Sequence, residues 1–437
     1  MPATTGVEAK ARTMALALRD AGHEAYLVGG CVRDFLLGRA PGDYDIATSA
    51  RPEEIAAVFG RGETVGAHFG VMLVDGVEVA TFRSDYDYRD GRRPGEVRFE
   101  TDPREDALRR DFTVNALFLD SETGEILDFV GGREDLERGL IRAVGDPRAR
   151  FAEDHLRMLR AVRFAARLGF ELDAATREAI VELAPRIGVI SAERVRDEIE
   201  RILTEGGARR GFELLDETGL LGEVLPEAAA LKGVAQPPEF HPEGDVWTHV
   251  MMMLGAMREP TASLALGVLL HDIGKPPTFR VTDRIRFDGH AELGARMARA
   301  ILERLRFPGA EVDQVESLVL HHMRFRDTPN MRPSTLKRFL RMPRFEEHLE
   351  LHRLDCVASH GRLGNYEFVR ARLAEIPEEE LKPPRLVTGD DLIAMGRRPG
   401  PDFRTILDEV ETAQLEGAIA TREEALLFVE TRFGAAP

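Results

Sequence analysis

"LVGGCVRDFLLGRAPGDYDIATS", Leu27 to Ser49, sets an apolar run against a glycine pair, a short helical stretch and two aspartates at alternate positions. The preceding AYLV reads as a strand that ends in a turn at Gly29 and Gly30, and VRDFLLG as a helix closed by Gly38. If DYDIAT is the next strand, Asp43 and Asp45 project from the same face of it. Two carboxylates on one face suit a hard divalent cation such as Mg²⁺, which takes carboxylate oxygens alongside substrate phosphates. Glu78, in VEVATFR, is the best candidate for a further carboxylate on a neighbouring strand. With it, two cations could activate an attacking hydroxyl and neutralise a leaving pyrophosphate. Gly29 and Gly30, lacking Cβ, let the backbone approach a triphosphate and donate N–H bonds to it. Either motif alone is common in ordinary turns; their order narrows the chemistry.

Around this stretch the first ~140 residues carry short β-like runs broken by Gly, Asp and Ser turns, a mixed α+β pattern. From Asp146 onward nearly everything has helical period. A chain of 437 residues exceeds what one core usually supports. The expected parts are a catalytic head over 1–140, a helical neck over 141–230, a further body over 231–380 and a helical tail over 381–437. The Pro-rich GVAQPPEFHPEG and EIPEEELKPPRLVTGDD read as linkers between them.

The formal charge is −17, which discourages unspecific attraction to phosphates but leaves room for a local basic groove. Arginines cluster at 83–98, 104–110 and 148–167, while acidic runs dominate the last third. No segment approaches the ~18 uninterrupted apolar residues of a membrane span, and the start, MPATTGVEAKAR, has no signal-peptide core. Only two cysteines, Cys31 and Cys356, far apart, fit a reducing compartment, so the cytoplasm is expected.

The order of strand, GG, helix start with Arg33 and Asp34, and DxD resembles the signature of the nucleotidyltransferase superfamily. More specifically, it is similar to the class II tRNA nucleotidyltransferases (CCA-adding enzymes) and bacterial poly(A) polymerases. DALRRDFTVNAL, Asp106 to Leu117, looks like the family segment that selects a ribose 2′-OH. GGREDLERGLIRAVGDP resembles the hinge that follows, EDHLRMLRAVRFAARLGF the nucleobase-reading helix, and ERVRDEIERIL the last shared motif. The resemblance implies a nucleotidyltransferase-type head with a mixed sheet followed by a predominantly α-helical neck, body and tail. It implies template-independent addition of C and A to the tRNA 3′ end from CTP and ATP. Asp43 and Asp45 are then the catalytic metal ligands, with Gly29, Gly30, Arg33 and Asn115 around the nucleotide. A flexible arginine-rich loop, Arg83 to Glu96, resembles one that CC-only enzymes characteristically lack.

Arg109, Arg110 and Asp111 carry both charges within three residues, suited to triphosphate and sugar hydroxyls; Asp111 could equally be the N-cap before FTVNAL. On a continuous helix, Asp154 and Arg157 lie three apart and Glu153 and Arg157 four apart, on one face. Cytosine and adenine each offer an exocyclic amino donor beside a ring-nitrogen acceptor; uracil and guanine reverse that order. An Asp that accepts and an Arg that donates match C and A and mismatch U and G. The same residues could instead form solvent-facing ion pairs. Arg160, Arg163 and Arg167 continue a basic surface for the phosphates of the tRNA acceptor end.

After Pro242 a second group begins: DVWTHVMMML, LALGVLLHDIGKP, GHAELGARMARAI and ESLVLHHMRF. His271-Asp272, with His249 upstream, resembles the HD domain of metal-dependent phosphohydrolases. Imidazole and carboxylate ligands suit a transition metal or Mg²⁺. His290 and either His321 or His322, with His321 taken as the ligand, complete a second position, and Asp355 closes the set. The tandem pair cannot both face one site on a helix. The rival readings are an A-only adding enzyme, a poly(A) polymerase, and an HD phosphohydrolase acting on RNA ends with the head as scaffold. Oligomeric state is not legible in the sequence.

Overall fold

The computed structural model describes residues 6–60, 63–64, 70–86 and 96–434. The chain divides into two compact units, one running to Ala229 with Arg304–Arg306 and the other comprising Ala230–Glu303 and residues from Phe307 onward.

The first unit opens with helix α1 (Gly6–Asp20), strand β1 (Ala25–Val28), α2 (Gly30–Leu36), β2 (Asp45–Thr48), α3 (Pro52–Phe59), β3 (Glu63–Thr64), β4 (Val71–Val74) and β5 (Val77–Thr81). A separate hairpin of β6 (Arg83–Tyr86) and β7 (Glu96–Phe99), then α4 (Pro103–Leu108), leads to β8 (Leu117–Leu119) and β9 (Ile126–Asp128). Seven of these strands form one sheet in the order β3-β4-β5-β2-β1-β8-β9. The β2–β5 pairing is parallel and the others are antiparallel, giving the mixed sheet expected for the head. Alternation sends Leu27 and Ile46 into a core with Ala15 and Leu18 of α1 and Ile55 of α3. Val28, Ala47 and Phe118 join Phe82 and Val144 on the other face. Asp45 shares the parity of Ala47, so it lies at the end of that second face.

Strand β2 begins at Asp45, and Asp43 lies in the irregular segment before it. The expectation that both aspartates alternate along one strand is therefore corrected: turn geometry after Gly42, rather than pleat, places Asp43.

After α5 (Gly132–Arg138), the short parallel pair β10 (Leu140–Ile141) and β11 (Glu171–Leu172) brackets α6 (Pro147–Glu153) and α7 (Leu156–Leu168). Next come α8 (Ala174–Leu183), α9 (Ala192–Thr204), α10 (Ala208–Glu217), α11 (Leu220–Val224) and α12 (Pro226–Ala229). The single helix expected across FAEDHLRMLRAVRFAARLGF is two, because Asp154 is extended (φ −147°, ψ 105°). Asp154 ends the first helix as its C-cap, and its carboxylate accepts from the amide of Leu156, the first residue of the second, 3.1 Å away.

In the second unit α13 (Val246–Ala256) and α14 (Ala262–Leu270) are followed by α15 (Lys275–Thr278), α16 (His290–Arg304), α17 (Gly309–His321), α18 (Pro333–Leu340) and α19 (Phe345–Ala358). Every residue of α14 after Ala262 is buried, which fixes the His271-Asp272 pair at its end. A Cβ on Gly274 would come 2.2 Å from the His290 carbonyl oxygen, so this glycine permits the approach of α16. Downstream, Val387, Leu392, Ile406, Val410 and Val429 form a separate tail core. Among the described residues no helix is long and apolar enough to cross a membrane.

Candidate functional site

Gly29 ends β1 with φ 76° and ψ −131°, a backbone state that glycine tolerates and other residues resist, and caps α2. A Cβ there would lie 3.4 Å from Arg110 Nη1, and one on Gly30 3.6 Å from Arg33 Nη2, so the turn faces two guanidinium groups. Arg33 donates to Asn115 Oδ1 (2.6 Å) and to Asp34 Oδ1 (2.9 Å). Arg110 donates to the Asn115 carbonyl (3.3 Å) and, with Arg109, grips the buried Asp106 (2.9 and 2.7 Å). Asp106 sits in the quoted sequence motif but was given no role there. Its spacing of three and four to the two arginines that follow the helix end was the available signal.

Register sets Asp45 beside Glu78 across the parallel β2–β5 pair. Burial, then the charges of Glu78 and Asp43, push the Asp45 carboxyl up to about 7, against the pull of Arg110. A buried carboxyl that two neighbouring carboxylates also push toward keeping its proton marks a place short of positive charge, which fits a divalent cation.

Asp111 accepts two bonds from Arg160 at Oδ2 (2.8 and 2.6 Å), and its Oδ1 accepts from the Phe112 amide (2.8 Å). Burial works against its charge, but Arg160 prevails and holds its pKa below the usual carboxylate range. The short 3-10 turn Thr113–Asn115 is capped at Phe112, so Asp111 is not its N-cap.

Asp154 and Arg157 do not share a helical face. The Asp154 carboxylate is held by Arg194 of α9 (2.7 and 3.3 Å). Arg157 pairs with Glu153 and donates to the Arg150 and Arg109 carbonyls. Arg163 leaves the basic surface altogether: it is 4% exposed and its Nε lies 2.7 Å from Glu198 of α9. Arg167 pairs with Glu205. Much of the arginine density of the neck is thus matched internally by carboxylates that the sequence scatters. The arginine-rich loop falls mainly on residues 87–95, outside the described residues.

In the second unit the donor atoms converge tightly. His249, His271 and Asp355 form one set within 4.8 Å, and Asp272, His290 and His322 another. His322 Nε2 lies 3.7 Å from Asp272 Oδ1 and 3.3 Å from His290 Nε2, whereas His321 turns toward the ring of His348. The ligand assignment to His321 is corrected to His322: after α17 ends, the chain turns inward one residue later. The Nδ1 atoms of His271, His290 and His322 each face a backbone carbonyl three residues back, at 2.9, 2.8 and 2.6 Å. That leaves each Nε2 as an inward-facing lone pair. His271 Nε2 is buried without a hydrogen-bond partner, although Asp272 Oδ2 is 3.1 Å away. Buried nitrogens and carboxylate oxygens that approach without bonding one another fit a shared cation. Lys275, unassigned in the sequence reading, pairs with Asp272 Oδ2 at 2.6 Å.

Three family models match the chain: "Poly A polymerase head domain" at residues 25–142, "Probable RNA and SrmB- binding site of polymerase A" at 169–232 and "HD domain" at 245–359. A CCA-adding enzyme of Geobacillus thermodenitrificans is 49% identical over 224 residues, 48% of this chain. Here the match spans about half the length of the relative, 55%. That of Geobacillus stearothermophilus is 35% identical over 415 residues, 94% of this chain and 93% of the relative. A crystal structure of the Bacillus stearothermophilus CCA-adding enzyme in complex with CTP superposes with a TM-score of 0.73 at 31% identity, covering 98% of this chain and 99% of that one. With the head, neck and HD motifs in one order along nearly the whole length of such a relative, the chain belongs to the CCA-adding enzyme family of nucleotidyltransferases.

Proposed function

We propose that this chain adds C and A to the 3′ end of tRNA from CTP and ATP, without a nucleic-acid template and with release of pyrophosphate. The observation that carries this reading is the register that sets Asp45 beside Glu78 on one side and beside Val28, at the Gly29–Gly30 turn and its two arginines, on the other, with Asp43 two residues before it. The relatives named CCA-adding enzymes, one of them solved with CTP, support it. In the reaction the terminal 3′-oxygen bonds to the α-phosphorus as the α–β phosphoanhydride bond breaks. Mg²⁺ held by Asp43 and Asp45, with Glu78, would activate that hydroxyl and offset charge on the leaving pyrophosphate. Arg33, Arg109 and Arg110, held by Asn115 and Asp106, face the phosphates, and Asp111, held by Arg160, accepts from the ribose 2′-OH. Asp154, fixed by Arg194, accepts from the amino group of cytosine or adenine. Arg157 locks the α6–α7 junction beside it and supplies the matching donor. A cytoplasmic location fits the two free cysteines.

The test supplies tRNAs ending before CCA, after C and after CC with each nucleoside triphosphate singly and in pairs. Stepwise CCA completion is expected. Addition of A to the CC-ended tRNA alone would establish an A-only enzyme, and unlimited A addition a poly(A) polymerase. Arg194→Ala should leave CTP and ATP usable but raise UMP and GMP misincorporation, since a loose Asp154 gives up part of the ~1–3 kcal/mol that each unpaired polar group costs a wrong base. Unchanged misincorporation would remove Asp154 from base selection.

The inward-facing Nε2 atoms favour a second reading for the HD unit: a metal phosphohydrolase acting on RNA 3′ ends, with a transition metal or Mg²⁺ at His249, His271, Asp272, His290, His322 and Asp355. Opening of a 2′,3′-cyclic end to its phosphomonoester, or release of phosphate from a 3′-phosphomonoester end, that persists in Asp43→Ala would establish it. A hydrolysis lost together with incorporation would contradict two independent sites.

A further inference from the structure

Residues 233–244 lie outside all three family matches, the second of which ends at Lys232 and the third of which begins at Asp245. Their composition reads as a Pro-rich linker, yet the structure folds them onto the HD centre. Gln236 is buried and its Oε1 accepts from Lys275 Nζ at 2.6 Å, the same nitrogen that pairs with Asp272. Glu243, with a side chain 4% exposed, shares Oε1 between two histidines: it is hydrogen-bonded to His241 Nδ1 at 2.9 Å and lies 2.7 Å from His249 Nδ1, out of line with it. Its Oε2 is buried with no hydrogen-bond partner.

The reason such a residue is needed lies in where each histidine sits. His271 and His322 follow the last turns of α14 and α17, where carbonyls outrun the helix's own amides and can accept from an imidazole Nδ1. His290 opens α16 and uses the carbonyl of Phe287 in the turn before it. His249 sits in the first turn of α13, where the carbonyl three residues back belongs to the helix ladder. Without a side-chain acceptor its ring has nothing to fix its tautomer. At present neither of its nitrogens has an in-line partner, although Asp355 Oδ1 is 3.2 Å from Nε2 and Glu243 Oε1 is 2.7 Å from Nδ1.

We propose that Glu243 is a positioning residue of the HD metal centre: its carboxylate accepts a hydrogen bond from His249 Nδ1–H, so that His249 Nε2 is presented as a ligand beside His271 and Asp355. Gln236 acts in parallel on Lys275, which makes the segment between the neck and HD matches a strap over the centre. The inference rests on the reading of these residues as a metal site. A carboxylate that orients a ligating histidine in this way is commonly worth about 10- to 100-fold in metal affinity.

The experiment titrates metal-stripped full-length wild type, Glu243→Ala and Glu243→Gln with Co²⁺, followed by its visible d–d absorption and by calorimetry. The head carboxylates contribute equally to all three. Expected is a fall of roughly 10- to 100-fold in affinity for Glu243→Ala, with the number of bound ions and the metal-free melting temperature unchanged. Glu243→Gln keeps a carbonyl oxygen that can accept from Nδ1–H and should recover most of the loss. Unchanged affinity in Glu243→Ala, with tight binding by the wild type, would overturn the proposal while leaving the metal site standing. Loss of one bound ion in both variants would overturn it in favour of Glu243 as a ligand itself, with His241. A wild type that gives no imidazole-ligated Co²⁺ spectrum would remove the metal reading and the inference with it.

Discussion

Asp45→Ala is expected to lose CMP and AMP incorporation by about 10³-fold or more while keeping its fold, a barrier increase of roughly 4 kcal/mol. Asp45 opens β2 and stands against Glu78 in register, so no other described carboxylate is placed to substitute for it. Its loss from the metal-free fold should cost little, because its neighbours repel it. The pH dependence gives an independent check. Its carboxyl is pushed up to about 7 by burial and by Glu78 and Asp43, so the folded head binds that proton more tightly than the unfolded chain does. This contribution is fully present below the ordinary carboxylate pKa and is lost as pH rises through about 7. Metal-free wild type should therefore lose melting temperature relative to Asp45→Ala between pH 5 and pH 8, and Mg²⁺ should close the gap. A melting temperature for Asp45→Ala below that of wild type at pH 8 without metal would mean that Asp45 is a structural residue. Incorporation within tenfold of wild type would remove the head carboxylates from the chemistry.

How far the sequence reaches depends on whether a residue acts through its near neighbours or through distant ones. β1, the glycine turn, α2 and the Asp45–Thr48 strand follow from local pattern, and the mixed head with its helical continuation follows from the change of period after Gly145. Glu78 was within reach of the sequence because an alternating strand, three strands on from β2, can present one carboxylate beside Asp45. Between His321 and His322 the sequence leaves the choice open, and His321 is the wrong side of it, because the answer depends on the residue at which α17 ends, and helix boundaries are the weakest product of periodicity. Asp154 shows another limit. Spacing on an assumed helix put it beside Arg157, but an Asp also competes for nearby backbone amides, and here its carboxylate takes the Leu156 amide where the first helix stops. Arg194, Glu198 and Gln236 lie 35 to 40 residues along the chain from the groups they hold. No local pattern reports such partners.

Arg163 shows what that blindness costs, since the string of arginines on α7 predicts an RNA-binding surface, whereas the structure predicts a folding defect. Arg163 and Glu198 are both nearly fully buried and 2.7 Å apart; Arg163 also stacks over Phe164 (4.3 Å) and bonds to Glu205 (3.2 Å). Arg163→Ala would leave Glu198 charged and unpaired between α7 and α9, at a cost of ~3–5 kcal/mol. For a unit of this size that is a fall of very roughly 10 °C in melting temperature. The loss should be as large without tRNA as with it. If Arg163 served the RNA instead, its removal would spare the melting temperature and lower the salt dependence of tRNA binding by about one counterion. The double change Arg163→Met with Glu198→Leu separates the two further. Apolar groups of similar volume relieve the buried charge, so stability should return to near wild type. Activity should return with it, because the pair holds α7 against α9 and so keeps Arg160 on Asp111 and Arg194 on Asp154. A double variant that is stable yet inactive would place Arg163 in the reaction after all.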